Sequence, residues 1–203
     1  MRIEIDFDNT LIDYDRVFAA AAYALGLVSS DFKGSKRAVR DAVRRLPDGE
    51  STWQRLQGHV YGAGIDAAVP FAGATEFLQR CAQASVSTFI VSHKTRYGHY
   101  DPARIDLREA ARKWMNLHGF LLPEVGGISA DHVFFEEDRG AKLARIAALG
   151  CTHFIDDLQE IFSDPHFPAG VRRILFAETG ANCCEDLCPN WPKIAAAVFG
   201  DAG

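Results

Sequence analysis

The sequence predicts an α/β fold in which helices cover a parallel sheet and a small helical unit is inserted after the first strand. Three observations predict it. From residue 71 onward, short apolar β-rich runs alternate with helical stretches of roughly ten to fifteen residues. Polar residues end several of those runs, at Asp6-Phe7-Asp8, Ser92 and Asp156-Asp157. Between 14 and 70 the apolar spacing is helical throughout.

Residues 2–7 are short and β-rich, as a central strand is. YDRVFAAAAYALGL (14–27) reads as a helix. SKRAVRDAVRRL (35–46) is a second, with Ala38, Val39, Ala42, Val43 and Leu46 on one face and Pro47 as its stop. STWQRLQGHVY (51–61) is a third, opened by a Ser51/Gln54 capping-box pattern and grouping Trp53, Leu56 and Val60. Helix 73–84 then precedes a buried strand, VSTFIVS (86–92). Helix 102–119 turns Leu107, Ala110, Ala111, Trp114 and Leu117 inward and stops at Gly119. HVFFE (132–136), THFIDD (152–157) and VRRILF (171–176) are strands, the first two separated by helix 140–150. The expected division is a core of 1–13 and 71–203 and a helical insertion of 14–70.

Composition narrows the classes of function. The 203 residues are 48% apolar and 24% charged, ordinary for one globular domain with an insertion. A net charge of -5 argues against a nucleic-acid partner. The longest apolar run, FAAAAYALGLV (18–28), is too short and Ala-rich to span a bilayer, so no membrane partner is expected. The N-terminus lacks a basic segment followed by an apolar one, so no secretory leader is expected. Five cysteines, with Cys183, Cys184 and Cys188 crowded together, give no clean paired Cys-x-x-Cys arrangement. Incidental thiols in a reducing cytoplasm fit better than disulfides or zinc.

Carboxylates avoid an interior unless they are paired or bind a metal. Parallel sheets present ligands at the carboxyl ends of their strands. Asp6, Asp8, Asp156 and Asp157 would therefore meet at one sheet edge and repel one another unless a cation neutralised them. Lys142, fourteen residues before Asp156, begins the intervening helix and would aim its ammonium at the same crevice. An all-oxygen, partly hydrated site suits Mg²⁺. His93 and Lys94 follow Ser92 on the loop facing that crevice and are candidate substrate contacts. RYGHYD (96–101) is either a substrate loop or a plain connection. The cations from Lys33 to Arg45 form either a solvated face or a basic lid for an anionic substrate. Phe18, Trp53 and Tyr61 either line that lid or form its core.

Taken in order, these pieces resemble the motifs of the haloacid dehalogenase-like (HAD) hydrolase superfamily. DFDNT is similar to its first motif, Asp-x-Asp-x-Thr; STFIVS ends in the serine of the second; Lys142 fits the third; FIDD fits the acidic fourth. The resemblance runs over residues 3–157. It implies a Rossmann-like sheet, a helical cap between the first two motifs, and a Mg²⁺-dependent phosphatase acting on a small phosphorylated metabolite. Asp6 would be the nucleophile that becomes an aspartyl-phosphate. Asp8 would protonate the leaving oxygen and then deprotonate the hydrolytic water; dehalogenating members lack an acid at that position. Thr10 would brace the turn, Ser92 would donate to a phosphoryl oxygen, and Lys142 would neutralise Asp6 and the transferring group. The metal would be held by Asp6, the Asp8 carbonyl and Asp156, with Asp157 acting through water or holding its neighbours. A phosphotransferase or phosphomutase would use the same residues, and a non-catalytic phospho-ligand sensor or scaffold would keep the fold alone.

Overall fold

The computed structural model describes residues 1–178 and 186–200. In chain order, its main elements begin with β1 (Arg2–Ile5), α1 (Asp15–Ala24), α2 (Lys36–Val43), α3 (Gly49–Tyr61), α4 (Ala74–Gln83), β2 (Ser87–His93) and α5 (Leu107–Leu117). They continue with β3 (Val133–Glu136), α6 (Arg139–Leu149), β4 (His153–Asp156), α7 (Gln159–Phe162), β5 (Arg172–Phe176), β6 (Asp186–Cys188) and α8 (Trp191–Phe199). The chain divides into two compact units. The first comprises Met1–Ile12, Pro70–Lys94 and Met115–Gly203; the second comprises Asp13–Val69 and Thr95–Trp114. The second unit is thus larger than an insertion of 14–70 by a segment that follows β2.

In the first unit six parallel strands run in the order β3-β2-β1-β4-β5-β6. Strand order reverses between β1 and β4, the place where such sheets open a crevice beyond their carboxyl ends. Register brings those two ends level: Ile5 lies opposite Ile155, and the Asp6 amide donates to the Ile155 carbonyl at 2.9 Å. Helices cover both faces, as a fully parallel sheet requires. On one face, Phe89, Val91, Phe154 and Leu175 pack with Leu143 and Ile146 of α6 and with Ile161, Phe162 and Phe167. On the other, Phe77 of α4 packs on Trp191 at the start of α8, ring centres 5.0 Å apart. The strand β6 and the helices α7 and α8 lie beyond the elements expected from sequence. Of the clustered cysteines, Cys188 is a buried free thiol, whereas Cys183 and Cys184 lie outside the described residues.

The second unit packs α1, α2 and α3 around its own aromatic centre. Phe18 stacks on Trp53 at 5.0 Å, and Tyr61 meets both Tyr14 and Phe18 edge-on. Phe18 and Trp53 are fully or almost fully buried, so they are core and not lid lining. Trp114 donates its indole N–H to the Ala68 carbonyl at 3.0 Å, tying the later segment to the earlier one. Two helix starts differ from the pattern reading. α3 begins at Gly49, and Ser51 donates its hydroxyl to the Asp48 carbonyl, so there is no Ser51/Gln54 capping box. The reason is steric: a Cβ on Gly49 would sit 2.6 Å from the Val43 and Arg44 carbonyl oxygens, so glycine alone lets the helix start this tightly after α2. α5 begins at Leu107 because the Asp106 carboxylate accepts from the amides of Arg108 and Glu109, capping it. Its last residue, Leu117, is exposed, contrary to its expected inward position, and Met115 is buried.

One residue of β1 breaks the sheet's apolar logic. Glu4 is fully buried, and neither of its carboxylate oxygens has a hydrogen-bond partner of normal geometry. Burial pushes its pKa up to about 7, and the nearby Cys151 thiol and the charges of Lys142, Arg2 and Arg145 offset only part of that rise.

Two predictions follow from this packing. Because the folded chain holds the Glu4 proton more tightly than the unfolded chain does, its contribution to stability is complete below pH 4.5 and declines as pH rises towards about 7. Glu4→Gln should therefore match the parent at pH 4 and exceed it by up to about 3 kcal/mol at pH 8. Urea unfolding in chelator across that range measures it, and parallel stability curves would refute it. Trp191 donates its indole N–H to the Thr10 carbonyl at 3.1 Å, anchoring the turn after β1. Trp191→Phe should cost about 1–3 kcal/mol, the penalty for an unsatisfied buried acceptor, and should speed amide exchange between residues 7 and 12. Unchanged exchange there would show that the turn stands without the anchor.

Candidate active site

The turn after β1 is built by one carbonyl. The Phe7 oxygen accepts from the amides of Thr10, Leu11 and Ile12, and Asn9 takes a left-handed φ of 62° to close the loop. Asn can adopt that conformation at small cost. The result leaves Asp6 just beyond the end of β1 and Asp8 two residues further on, in the turn. Thr10 is fully buried, but its hydroxyl makes no hydrogen bond; it braces the turn through its backbone carbonyl, held by Trp191.

Lys142 sits in the first turn of α6, whose N-terminus is capped by the Asp138 carboxylate accepting from the Ala141 amide. Its Nζ donates to Asp6 Oδ1 at 2.6 Å and to Asp156 Oδ2 at 2.7 Å, with all three side chains almost wholly buried. Burial alone would push the ammonium down, but Asp156 and Asp6 outweigh it and hold Lys142 well above the usual lysine range. The cluster still has more carboxylates than cations. Burial, joined by the charge of Asp6, lifts Asp156 to about 6 although Lys142 pulls the other way. The other oxygen of Asp156 accepts from the Leu158 amide at 2.7 Å, which fixes the carboxylate at the strand end.

Asp157 is half-buried beside them, and the Asn9 side-chain amide reaches one of its oxygens at 3.5 Å. Asp6, Asp156 and Asp157 each offer an oxygen within 4.8 Å of the others. Three carboxylates against one ammonium, all donors oxygen, make a set that a hard divalent cation fits and would relieve of its excess charge.

The second strand supplies the remaining groups. Ser92 is buried near the end of β2, and its hydroxyl has no hydrogen-bond partner. His93 is exposed at the strand's last position. Lys94 is buried, its amide bonded to the Glu136 carbonyl, and its Nζ donates to both oxygens of Asp8 at 2.9 Å. Residues named from sequence as Asp6, Asp8, Ser92, Lys94, Lys142, Asp156 and Asp157 thus all lie at the carboxyl edge of β2, β1 and β4 or on the helix leading into β4. Sequence reasoning missed two features: the clamp of Lys94 on Asp8, which joins positions 86 residues apart, and buried Glu4, two positions before Asp6. An acid inside an apolar strand was the signal for the second.

Neither protein-family models nor curated proteins match the chain. Solved structures do. A HAD-superfamily hydrolase of subfamily IA from Geobacter sulfurreducens aligns with TM-score 0.58 at 13% identity, over 97% of this chain and 95% of that one. A HAD family hydrolase from Deinococcus radiodurans, solved with bound phosphate and sodium, aligns with TM-score 0.56 at 15% identity, over 97% and 94%. A HAD-superfamily hydrolase from Ehrlichia chaffeensis aligns with TM-score 0.53 at 18% identity, over 97% and 95%. A structure described as a dehalogenase aligns with TM-score 0.54 at 13% identity, over 98% and 97%. With its parallel sheet, strand order and polar strand ends, this chain has the fold of the haloacid dehalogenase-like hydrolases.

Proposed function

We propose that this protein is a Mg²⁺-dependent phosphatase that hydrolyses a small phosphorylated metabolite through an aspartyl-phosphate on Asp6. The observation that carries the reading is the buried bridge from Lys142 to Asp6 and Asp156, at 2.6 and 2.7 Å. A nucleophilic carboxylate must approach a phosphoryl group that is itself anionic, and a fixed ammonium removes much of that repulsion. Asp8 separates this reading from dehalogenation, which has no leaving alcohol to protonate.

In the proposed reaction an Asp6 oxygen forms a bond to phosphorus as the ester P–O bond breaks. Asp8 gives a proton to the departing alkoxide, then takes one from the water that attacks the acyl-phosphate, releasing Asp6 and inorganic phosphate. Ser92, whose buried hydroxyl lacks a partner, donates to a phosphoryl oxygen. Lys94 exchanges Asp8 for a phosphoryl oxygen when substrate enters, which frees Asp8 to face the leaving group. Asp6, Asp156 and the Asp8 carbonyl, with Asp157 beside them, would hold Mg²⁺, which would supply further charge neutralisation.

Phosphate release from p-nitrophenyl phosphate should depend on Mg²⁺, vanish in chelator and return on adding the metal. Asp6→Asn should lower it about 10³-fold or more; turnover within about tenfold of the parent would exclude Asp6 as nucleophile. Lys94→Met should raise KM and lower kcat together, since the side chain serves both substrate and Asp8. An effect on kcat alone, with KM unchanged, would remove the exchange step and leave Lys94 only a partner of Asp8.

A further inference from the structure

The second unit carries an open pocket of about 590 Å³ on its surface, walled by α3 and by the loop that precedes α5. Its shape comes from two glycines. A Cβ on Gly98 would lie 2.6 Å from the Gly58 Cα, and one on Gly58 would press on the His99 carbonyl at 3.3 Å. The loop lies this close to α3 because Gly98 has no side chain, and Gly58 leaves the His99 carbonyl unpressed. Arg55, one turn before Gly58 on the helix, therefore comes to face Tyr97, Tyr100 and Arg104 of the loop. Tyr100 and Arg104 hold positive φ values of 59° and 47°, so the loop is fixed in a form an ordinary connection would not choose.

Two of the charges on this wall lack the carboxylate partners that several other arginines have. Arg40 pairs with Asp41, Arg44 with Glu50, Arg96 with Asp106, Arg145 with Glu136 and Arg172 with Asp186. Arg55 and Arg104 have no carboxylate partner among the described residues. Each guanidinium instead lies over a tyrosine ring, Arg55 over Tyr100 at 5.0 Å and Arg104 over Tyr97 at 4.3 Å. Stacking holds an arginine's plane in place while leaving its N–H edge free for a bidentate acceptor. The one acid in the wall, Asp101, already accepts from the amides of Ala103 and Ile105. Two pre-oriented guanidinium groups facing one concavity, with tyrosine rings beside them, form a receptor for an anion.

We propose that this cavity is a binding site for a small organic anion, whose phosphate or carboxylate group is held between Arg55 and Arg104. The site goes beyond the phosphatase reading: all its residues belong to the second unit, and none is assigned a part in the chemistry at Asp6.

Aromatic NMR of the tyrosine rings tests it, with Tyr97→Phe and Tyr100→Phe supplying assignments and chelator present. Inorganic phosphate, phenyl phosphate and citrate are titrated to about 10 mM, enough to saturate a site of Kd ~1 mM, against sodium chloride at matched ionic strength. The Tyr97 and Tyr100 signals should move saturably with phosphates, with citrate, or with both, the pattern naming the anionic group preferred. Arg55→Gln and Arg104→Gln should each weaken that response about tenfold or more, with the Tyr14 and Tyr61 signals unchanged as proof of folding. Ser92→Ala, which alters only the other proposed site, should leave the Tyr97 and Tyr100 titration as it was. Signals that stay still, that follow chloride equally, or that titrate identically in the arginine variants would overturn the site. Activity on p-nitrophenyl phosphate is read separately, so either proposal can fail alone.

Discussion

A lysine ammonium shared between two buried carboxylates constrains the rest of the first unit. Lys142 reaches Asp6 and Asp156 only if the start of α6, the end of β1 and the end of β4 converge within a few ångströms. The β1–β4 pairing and the Asp138 cap of α6 bring that about. The arrangement is stable only as a set. Each ion taken from water costs several kcal/mol, which good geometry and mutual attraction offset only when every partner is in place. Removal of Lys142 leaves two uncompensated carboxylates in a site with almost no access to water. The same condition is what makes the site chemically useful, because charges fixed in a poorly solvated place act strongly on any anion that enters.

Charge in that region is nevertheless unbalanced, and the imbalance follows a gradient along β1. Asp8, partly exposed, is matched by Lys94. Asp6, buried, shares Lys142 with Asp156. Glu4, deepest of the three, has no ion pair among the described residues, and burial raises it towards neutrality. Each step inward along the strand offers fewer cations per carboxylate, so protonation takes over from pairing. A divalent cation near Asp6, Asp156 and Asp157 would act at the middle of this series, where three carboxylates face one ammonium.

The sequence made the candidate site legible because polar residues stand at the ends of apolar runs, where packing alone would not put them. Asp6, Ser92 and Asp156 stand out for that reason, and Lys142 follows from its offset to Asp156. Other features were hidden because they depend on partners far apart in the chain. The Lys94 clamp on Asp8 is one; the recruitment of Thr95–Trp114 into the second unit is another, since nothing local in that segment says which neighbour it packs on. Helix starts failed where backbone contacts decided them: the close approach at Gly49 outweighed the Ser51/Gln54 pattern, and the Asp106 cap shortened the helix expected from 102. The short elements β6 and α7 carry too few residues for a periodic signal.

The basic residues of the second unit show why a count of cations is a poor guide to where an anion binds. The run from Lys33 to Arg45 is the densest in the chain, yet Arg40 and Arg44 are spent on carboxylates within the unit, and Lys36 lies over the rings of Phe18 and Tyr61. At the cavity two cations suffice, because each is stacked on a tyrosine and neither is paired with a carboxylate among the described residues. That arrangement depends on close backbone approach: a side chain at Gly98 would meet the Gly58 Cα at 2.6 Å, so the loop would have to move off α3. Close backbone approach thus does for the second unit what burial does for the first, turning ordinary charged residues into a preorganised group.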